Sequence, residues 1–140
     1  MRIGILGTGS VGRALAEGFA DGGHEVTIGT RDVDALMARS RERAAELLVN
    51  ATLGTASIDA LGAAGAGRVD GRIVIDPSNP LDFSGEFPPS LFVGITDSLA
   101  ERILRAFPGA RVVKAWNTVT APLMTNPTAL TGATSSILAT

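Results

Sequence analysis

Apolar residues in this chain fall into short unbroken runs that alternate with longer segments of helical spacing. Residues 2–7 (RIGILG) are an apolar run closed by glycine, the mark of a buried strand. Val11, Leu15, Gly18 and Phe19 then recur at i, i+4, i+7 and i+8, predicting a helix over 10–23 that Gly22 and Gly23 stop. Residues 24–30 (HEVTIGT) predict a second strand. The polar, Ala-rich stretch from Asp32 to about Glu46 reads as a helix with Leu36, Ala44, Leu47 and Leu48 as its few apolar anchors. Residues 47–52 (LLVNAT) predict a third strand, 55–67 a helix loosened by glycines, and 71–76 (GRIVID) a fourth strand stopped by PSNP. After a proline-rich loop over 81–90, LFVGI (91–95) reads as a short strand. Ser98 and Glu101 have the spacing of a capping box ahead of a helix over 98–109, where Leu99, Ile103 and Phe107 share a face. Residues 110–116 (ARVVKAW) are the last clear strand. Strand runs that are apolar without alternation, separated by helices, define the fold class. It is α/β, a doubly wound parallel sheet covered on both faces, in one domain over 1–140.

Between the first strand and the first helix lies GTGSVG, residues 7–12. A bare G-x-G-x-x-G says little, but here it has the strand–turn–helix context that a dinucleotide-binding turn requires. Gly7 permits the tight turn, Gly9 lets the backbone approach a pyrophosphate, and Gly12 lets the helix pack closely. The amides of Ser10, Val11 and Gly12 then face an anion at the positive end of the helix. An NAD-binding domain carries Asp or Glu about 20 residues further on, against the ribose 2′-hydroxyl. This chain has Thr30 and Arg31 there: a hydroxyl and a guanidinium, suited to a 2′-phosphate and hence to NADP. Alternatively, Arg31 is a solvated residue with Asp32 as a helix cap or displaced ribose acid.

Composition narrows the chemistry. Hydrophobic residues make up 45%, charged residues 19%, and the net charge is −2, which gives no basic face for nucleic acid or anionic membranes. No apolar run is long enough to span a membrane, and a strand begins at Arg2 without room for a signal peptide, so a cytoplasmic protein is expected. The chain has no cysteine, no tyrosine, one histidine (His24) and one lysine (Lys114). Thiolate, zinc and Tyr-Lys mechanisms are therefore hard to build, and no metal site or catalytic side chain stands out. Hydride exchange between two stacked rings relies on positioning and water exclusion, and such a composition permits it.

The stretch MRIGILGTGSVGRALAEGFADGGHEVTIGTRD, with LLVNAT, IVIDPSNPLDFSG and RVVKAWNTVTAPLM, resembles the coenzyme F420-dependent NADP oxidoreductase family. The related ferric-reductase dinucleotide domains share the pattern. The resemblance covers most of the chain, and the combination of GTRD, IDPSNP and KAWNT makes it specific. It implies a Rossmann domain followed by a small helical segment, usually dimeric, and hydride transfer between NADPH and a deazaflavin. It would place the pyrophosphate on Gly7, Thr8, Gly9, Ser10, Val11 and Gly12, and the 2′-phosphate on Thr30 and Arg31. Asn50, Ala51 and Thr52 would line the cofactor, while Ser78, Asn79 and Pro80, with Asn117 and Thr118, would border the nicotinamide. These asparagines also fall just past the carboxyl ends of predicted strands, where open α/β sheets bind ligands.

Blander roles compete at several positions. Asn79-Pro80 is a common turn pair, Asp76 suits a strand-end cap, and His24 a turn. Lys114 reads as a strand residue or surface charge, and the phenylalanines of 83–92 as a small satellite core. Against the family pattern, the expectation is a sheet lacking one edge strand before LLVNAT and a chain lacking the C-terminal helical segment. Three functions follow: an NADP-dependent oxidoreductase with a small-molecule redox partner, a non-catalytic NADP-binding module, or an incomplete short paralogue.

Overall fold

The computed structural model describes residues 1–29 and 45–126. Five strands, β1 (Arg2–Leu6), β2 (Glu25–Gly29), β3 (Leu47–Asn50), β4 (Ile73–Asp76) and β7 (Arg111–Lys114), form a parallel sheet in the order β2-β1-β3-β4-β7. The chain runs outward from β1 to β2, then returns to β1's other side as β3, so the connections diverge between the carboxyl ends of β1 and β3. That divergence opens a crevice where such sheets take ligands. Among the described residues the parallel sheet ends at β2 on one side and at β7 on the other.

Strand parity divides the core in two. Ile3 and Ile5 of β1 and Val49 of β3 point to one face, where Leu15 and Ala16 of α1 (Ser10–Asp21) and Met124 of α5 (Ala121–Met124) cover them. Leu6, Leu48 and Val74 point to the other, beneath Leu61 and Ala64 of α2 (Ser57–Ala64) and Leu99 and Ile103 of α4 (Leu99–Ala106). Each fully buried aliphatic side chain contributes about 1.5–3 kcal/mol of burial free energy. The sheet is therefore covered on both faces, as its non-alternating strands predict.

Several expected elements are changed. Leu47 and Leu48 belong to β3; the helix expected from Asp32 to about Glu46 lies, up to residue 44, outside the described residues. The helix expected over 55–67 breaks at Gly65, whose φ is +97°, and restarts as the single turn α3 (Ala66–Val69). The proline-rich loop closes an antiparallel pair, β5 (Leu81–Asp82) with β6 (Ser90–Leu91), so only Leu91 of the expected 91–95 strand is extended, and it pairs outside the main sheet. The satellite core expected over 83–92 does not form at Phe83 and Phe87, which are 63% and 93% exposed. Phe92 alone of the three packs inward, with the Arg102 guanidinium 5.7 Å from its ring centre. Past β7, Trp116 adopts φ +63°, a left-handed conformation that costs roughly 1–2 kcal/mol, and sets its indole edge-on to Phe19 at 6.3 Å.

The α4 capping box forms by half. Ser98 Oγ accepts from the Glu101 amide at 3.2 Å, but the Ser98 amide donates to Asp97 Oδ1 at 2.9 Å, so Asp97 takes the place expected of the Glu101 carboxylate. Asp97 also accepts from Arg102 Nε at 2.8 Å and Arg105 Nη2 at 2.8 Å. The Arg102 hydrogen bond, followed by that from Arg105, pulls its pKa from 3.8 to about 2. A carboxylate with a depressed folded-state pKa stabilises fully above its ordinary value and loses that contribution as pH falls through the folded one. Asp97→Asn should therefore lower Tm at neutral pH, and the difference from wild type should close between pH 3.8 and about 2 in parallel thermal melts.

Candidate functional site

A cleft of about 760 Å³ opens at the divergence of β1 and β3. The turn from Gly7 to Val11 forms one wall, Ala51 to Leu53 the floor, and one face of α2 the opposite wall, with Gly29 and Ser78 at its two ends. Gly7 adopts φ +114°, and a side chain there would strike the Ala51 carbonyl. A Cβ on Gly12 would strike the Gly7 carbonyl, so the first turn of α1 sits directly on the glycine turn. Gly9 differs: it has ordinary φ (−70°), and a Cβ built on it meets nothing within 4 Å. The fold has no need of glycine there, and the space it leaves lies at the mouth of the cleft.

The end of α1 at this mouth is electrostatically bare. Its N-cap is Gly9, no side chain caps it, and no acidic residue stands in its first turn. The amino end of a 12-residue helix therefore presents its partial positive charge and amides to the cleft. The fit to a pyrophosphate is good: donors, dipole and a cradle that any side chain on Gly9 would fill.

Of the positions singled out in the sequence, Gly7, Thr8, Gly9, Ser10, Val11, Ala51, Thr52 and Ser78 line the cleft. Gly12 lies just behind it. Thr30 and Arg31 lie outside the described residues, although Gly29 immediately before them is at the cleft's edge. Asn79 and Asn117 stand beyond the cleft and hold each other: Asn79 Nδ2 donates to the Asn117 carbonyl at 2.9 Å. Pro80 and Thr118 flank this pair outside the cleft lining. Sequence reasoning missed Ala56, Asp59, Ala60 and Ala63, whose i, i+3, i+4, i+7 spacing forms the α2 wall and was legible as one helical face.

Beneath the floor lies a polar network. Asn50, fully buried, does not line the cleft: its amide donates to Ser57 Oγ at 2.8 Å and Asp76 Oδ1 at 2.9 Å, and its carbonyl accepts from Thr52 Oγ1 at 2.7 Å. Asp76 is also fully buried and accepts from the Ser78 amide and hydroxyl at 3.2 and 2.5 Å. Its other oxygen accepts from Lys114 Nζ at 2.8 Å, and the same ammonium donates to the Ser78 carbonyl. Lys114 is thus no surface charge, and Asp76 is more than a strand-end cap. His24 closes the turn after α1, its amide donating to the Phe19 carbonyl at 3.0 Å.

Fold and cleft together define a Rossmann-type α/β domain. The family described as NADP oxidoreductase, coenzyme F420-dependent, matches residues 2–57. The crystal structure of a candidate F420-dependent NADP-reductase from Arthrobacter sp. FB24 is 46% identical with a TM-score of 0.89, covering 99% of this chain and 72% of that one. This chain belongs to the coenzyme F420-dependent NADP oxidoreductase family. A hypothetical protein from Sinorhizobium meliloti is 28% identical, with a TM-score of 0.63 over 89% of this chain and 65% of its own. An imine reductase from Streptomyces aurantiacus, 23% identical with a TM-score of 0.52, covers 82% of this chain and 40% of its own, and shares the fold. No curated protein matches the chain. Among the described residues no helix is long and apolar enough to cross a membrane.

The two glycines should separate experimentally. Gly9→Ala should leave stability unchanged or raise it by about 0.4–1 kcal/mol, because its backbone is already in a common conformation. Gly12→Ala should lose about 1–3 kcal/mol by overpacking the turn. Urea unfolding of both variants measures the difference.

Proposed function

We propose that this chain binds NADP(H) across the carboxyl edge of its sheet and hosts hydride transfer between the nicotinamide and a flat redox acceptor of the deazaflavin type. The observation that carries the reading is the uncapped, acid-free start of α1 opening on a cleft where Gly9 leaves room for a pyrophosphate. Family membership supports the nicotinamide cofactor, and the Arthrobacter relative's name supports F420 as its redox partner. In this reading Thr30 and Arg31, next along from Gly29, receive the 2′-phosphate at one end. The backbone amides of Ser10, Val11 and Gly12 hold the pyrophosphate. Ala51 and Thr52 support the cofactor from below, and the Ser78 to Pro80 loop, with Asn117 and Thr118, borders the reacting ring.

When bound, the nicotinamide supplies the hydride; the chain's own residues bind, orient and exclude water. The small side chains of Ala56, Ala60 and Ala63 leave an apolar wall against which a flat ring can lie. The network beneath fixes the floor, with the Thr52 and Ser78 hydroxyls donating to Asn50 and Asp76.

Two measurements test this reading. Saturation with NADPH at a hundred times its Kd should stabilise the protein by about 2.7 kcal/mol, read as an increase in Tm. Arg31→Ala should weaken NADPH by about 1.5–3 kcal/mol, roughly tenfold to a hundredfold, and leave NADH nearly untouched in calorimetric titration. Equal losses for both nucleotides would refute the 2′-phosphate assignment. Absence of hydride transfer from bound NADPH to F420 and to flavins would leave a binding module in place of an oxidoreductase.

A further inference from the structure

The parallel register aligns the last residues of the strands. Leu6 is opposite Gly29 on one side and Asn50 on the other, and Asp76 is opposite Lys114. Leu47, Leu48 and Val49 pair in turn with Ile73, Val74 and Ile75, which carries Asn50 to the level of Asp76. A single row therefore crosses the sheet, from Gly29 at one end to Lys114 at the other, with neighbours about 4.8 Å apart. In the proposed function the adenosine end lies by Gly29 and the pyrophosphate above Leu6. The rest of the dinucleotide must then run toward Asp76 and Lys114.

Ser78 stands at that end of the cleft and is held at three points. Its amide and hydroxyl bond Asp76, and its carbonyl accepts from Lys114. The lysine side chain is only 22% exposed and its carboxylate partner fully buried. Taking such a pair out of water is costly, and a hydrophobic replacement of similar volume commonly serves stability as well or better. Packing alone therefore does not explain the pair. The chain carries a single lysine among its 12 basic residues, and it is placed in this interior position. Arginine's planar fork would address a carboxylate well; a compact ammonium can divide its hydrogen bonds between a carboxylate and a carbonyl in different directions.

We propose that Lys114 is a positioning residue for the nicotinamide half of the dinucleotide: joined to Asp76, it fixes the Ser78 carbonyl at the cleft wall where that half lies. This inference rests on the NADP-binding reading and adds to it a residue that touches no cofactor atom. Loss of the clamp lets the 77–80 loop shift, and displacement of about 1 Å is enough to cost a hundredfold in a reaction that depends on alignment.

The experiment compares NADPH with 2′,5′-ADP, which carries the adenosine half alone. In Lys114→Met, NADPH should bind about tenfold more weakly or worse, while 2′,5′-ADP binds as to wild type; Lys114→Arg, which keeps the charge, should recover part of the loss. The single lysine supplies a second readout that needs no substitution. Wild-type protein labelled with 13C-lysine gives one Hε–Cε resonance, which should move on saturation with NADPH and stay in place with 2′,5′-ADP. Equal weakening of both ligands in Lys114→Met, or a resonance that responds alike to both, would overturn the proposal and leave Lys114 a structural residue. If Lys114→Met does not fold, the wild-type resonance decides. Failure of wild-type protein to bind either ligand is a different outcome: it removes the NADP reading itself, and this inference with it.

Discussion

The register of the parallel sheet is the constraint on which the cleft depends. Asn50, Asp76 and Lys114 end three adjacent strands at one level, and their side chains share the parity of Leu48, Val74 and Val112. A slip by one residue would turn all three to the opposite face and bury the apolar set in the wrong layer. Their hydrogen bonds therefore reinforce the alignment that the aliphatic residues below them already specify. The same row closes the top of the core under α2 and α4 and lies beneath the floor of the cleft. Core and cleft share one line of atoms here.

The glycine turn contributes in a complementary way, through space. Gly7 and Gly12 are required by the protein's own backbone, since a side chain at either would meet a carbonyl of the adjoining turn. Among the described residues nothing meets a side chain built on Gly9. A helix whose first turn has no cap and no acid is also incomplete by the ordinary rules of helix termini. Both deficits occur at the same point in space, and an anion would satisfy both. The site is defined by what the fold leaves undone as much as by what it supplies.

The strands and helices were legible because their signals are local: apolar runs, helical spacing, and the glycine stop at 22 and 23. β5 and β6 were not, since a two-residue pairing has no period to detect. The resemblance sets Asn50 along the cofactor, yet its parity with Leu48 directs it beneath the floor. Lys114 and Asp76 are 38 residues apart, and only the strand order brings them together. Phe83 and Phe87 show the converse error, where aromatic character suggested a core and both side chains are exposed. The glycine motif was the most informative stretch, because one sequence segment contains its strand, turn and helix in full.

Trp116 stands at a joint of the molecule. Its left-handed backbone turns the chain from the strand bearing Lys114 toward Asn117, whose carbonyl is tied to Asn79. The chain has one tryptophan and no tyrosine. Light emitted by this protein on ultraviolet excitation thus originates from a single address, against the phenyl edge of Phe19 and one residue from the asparagine cross-link. The molecule carries a built-in optical gauge, mounted on the seam between α1 and β7.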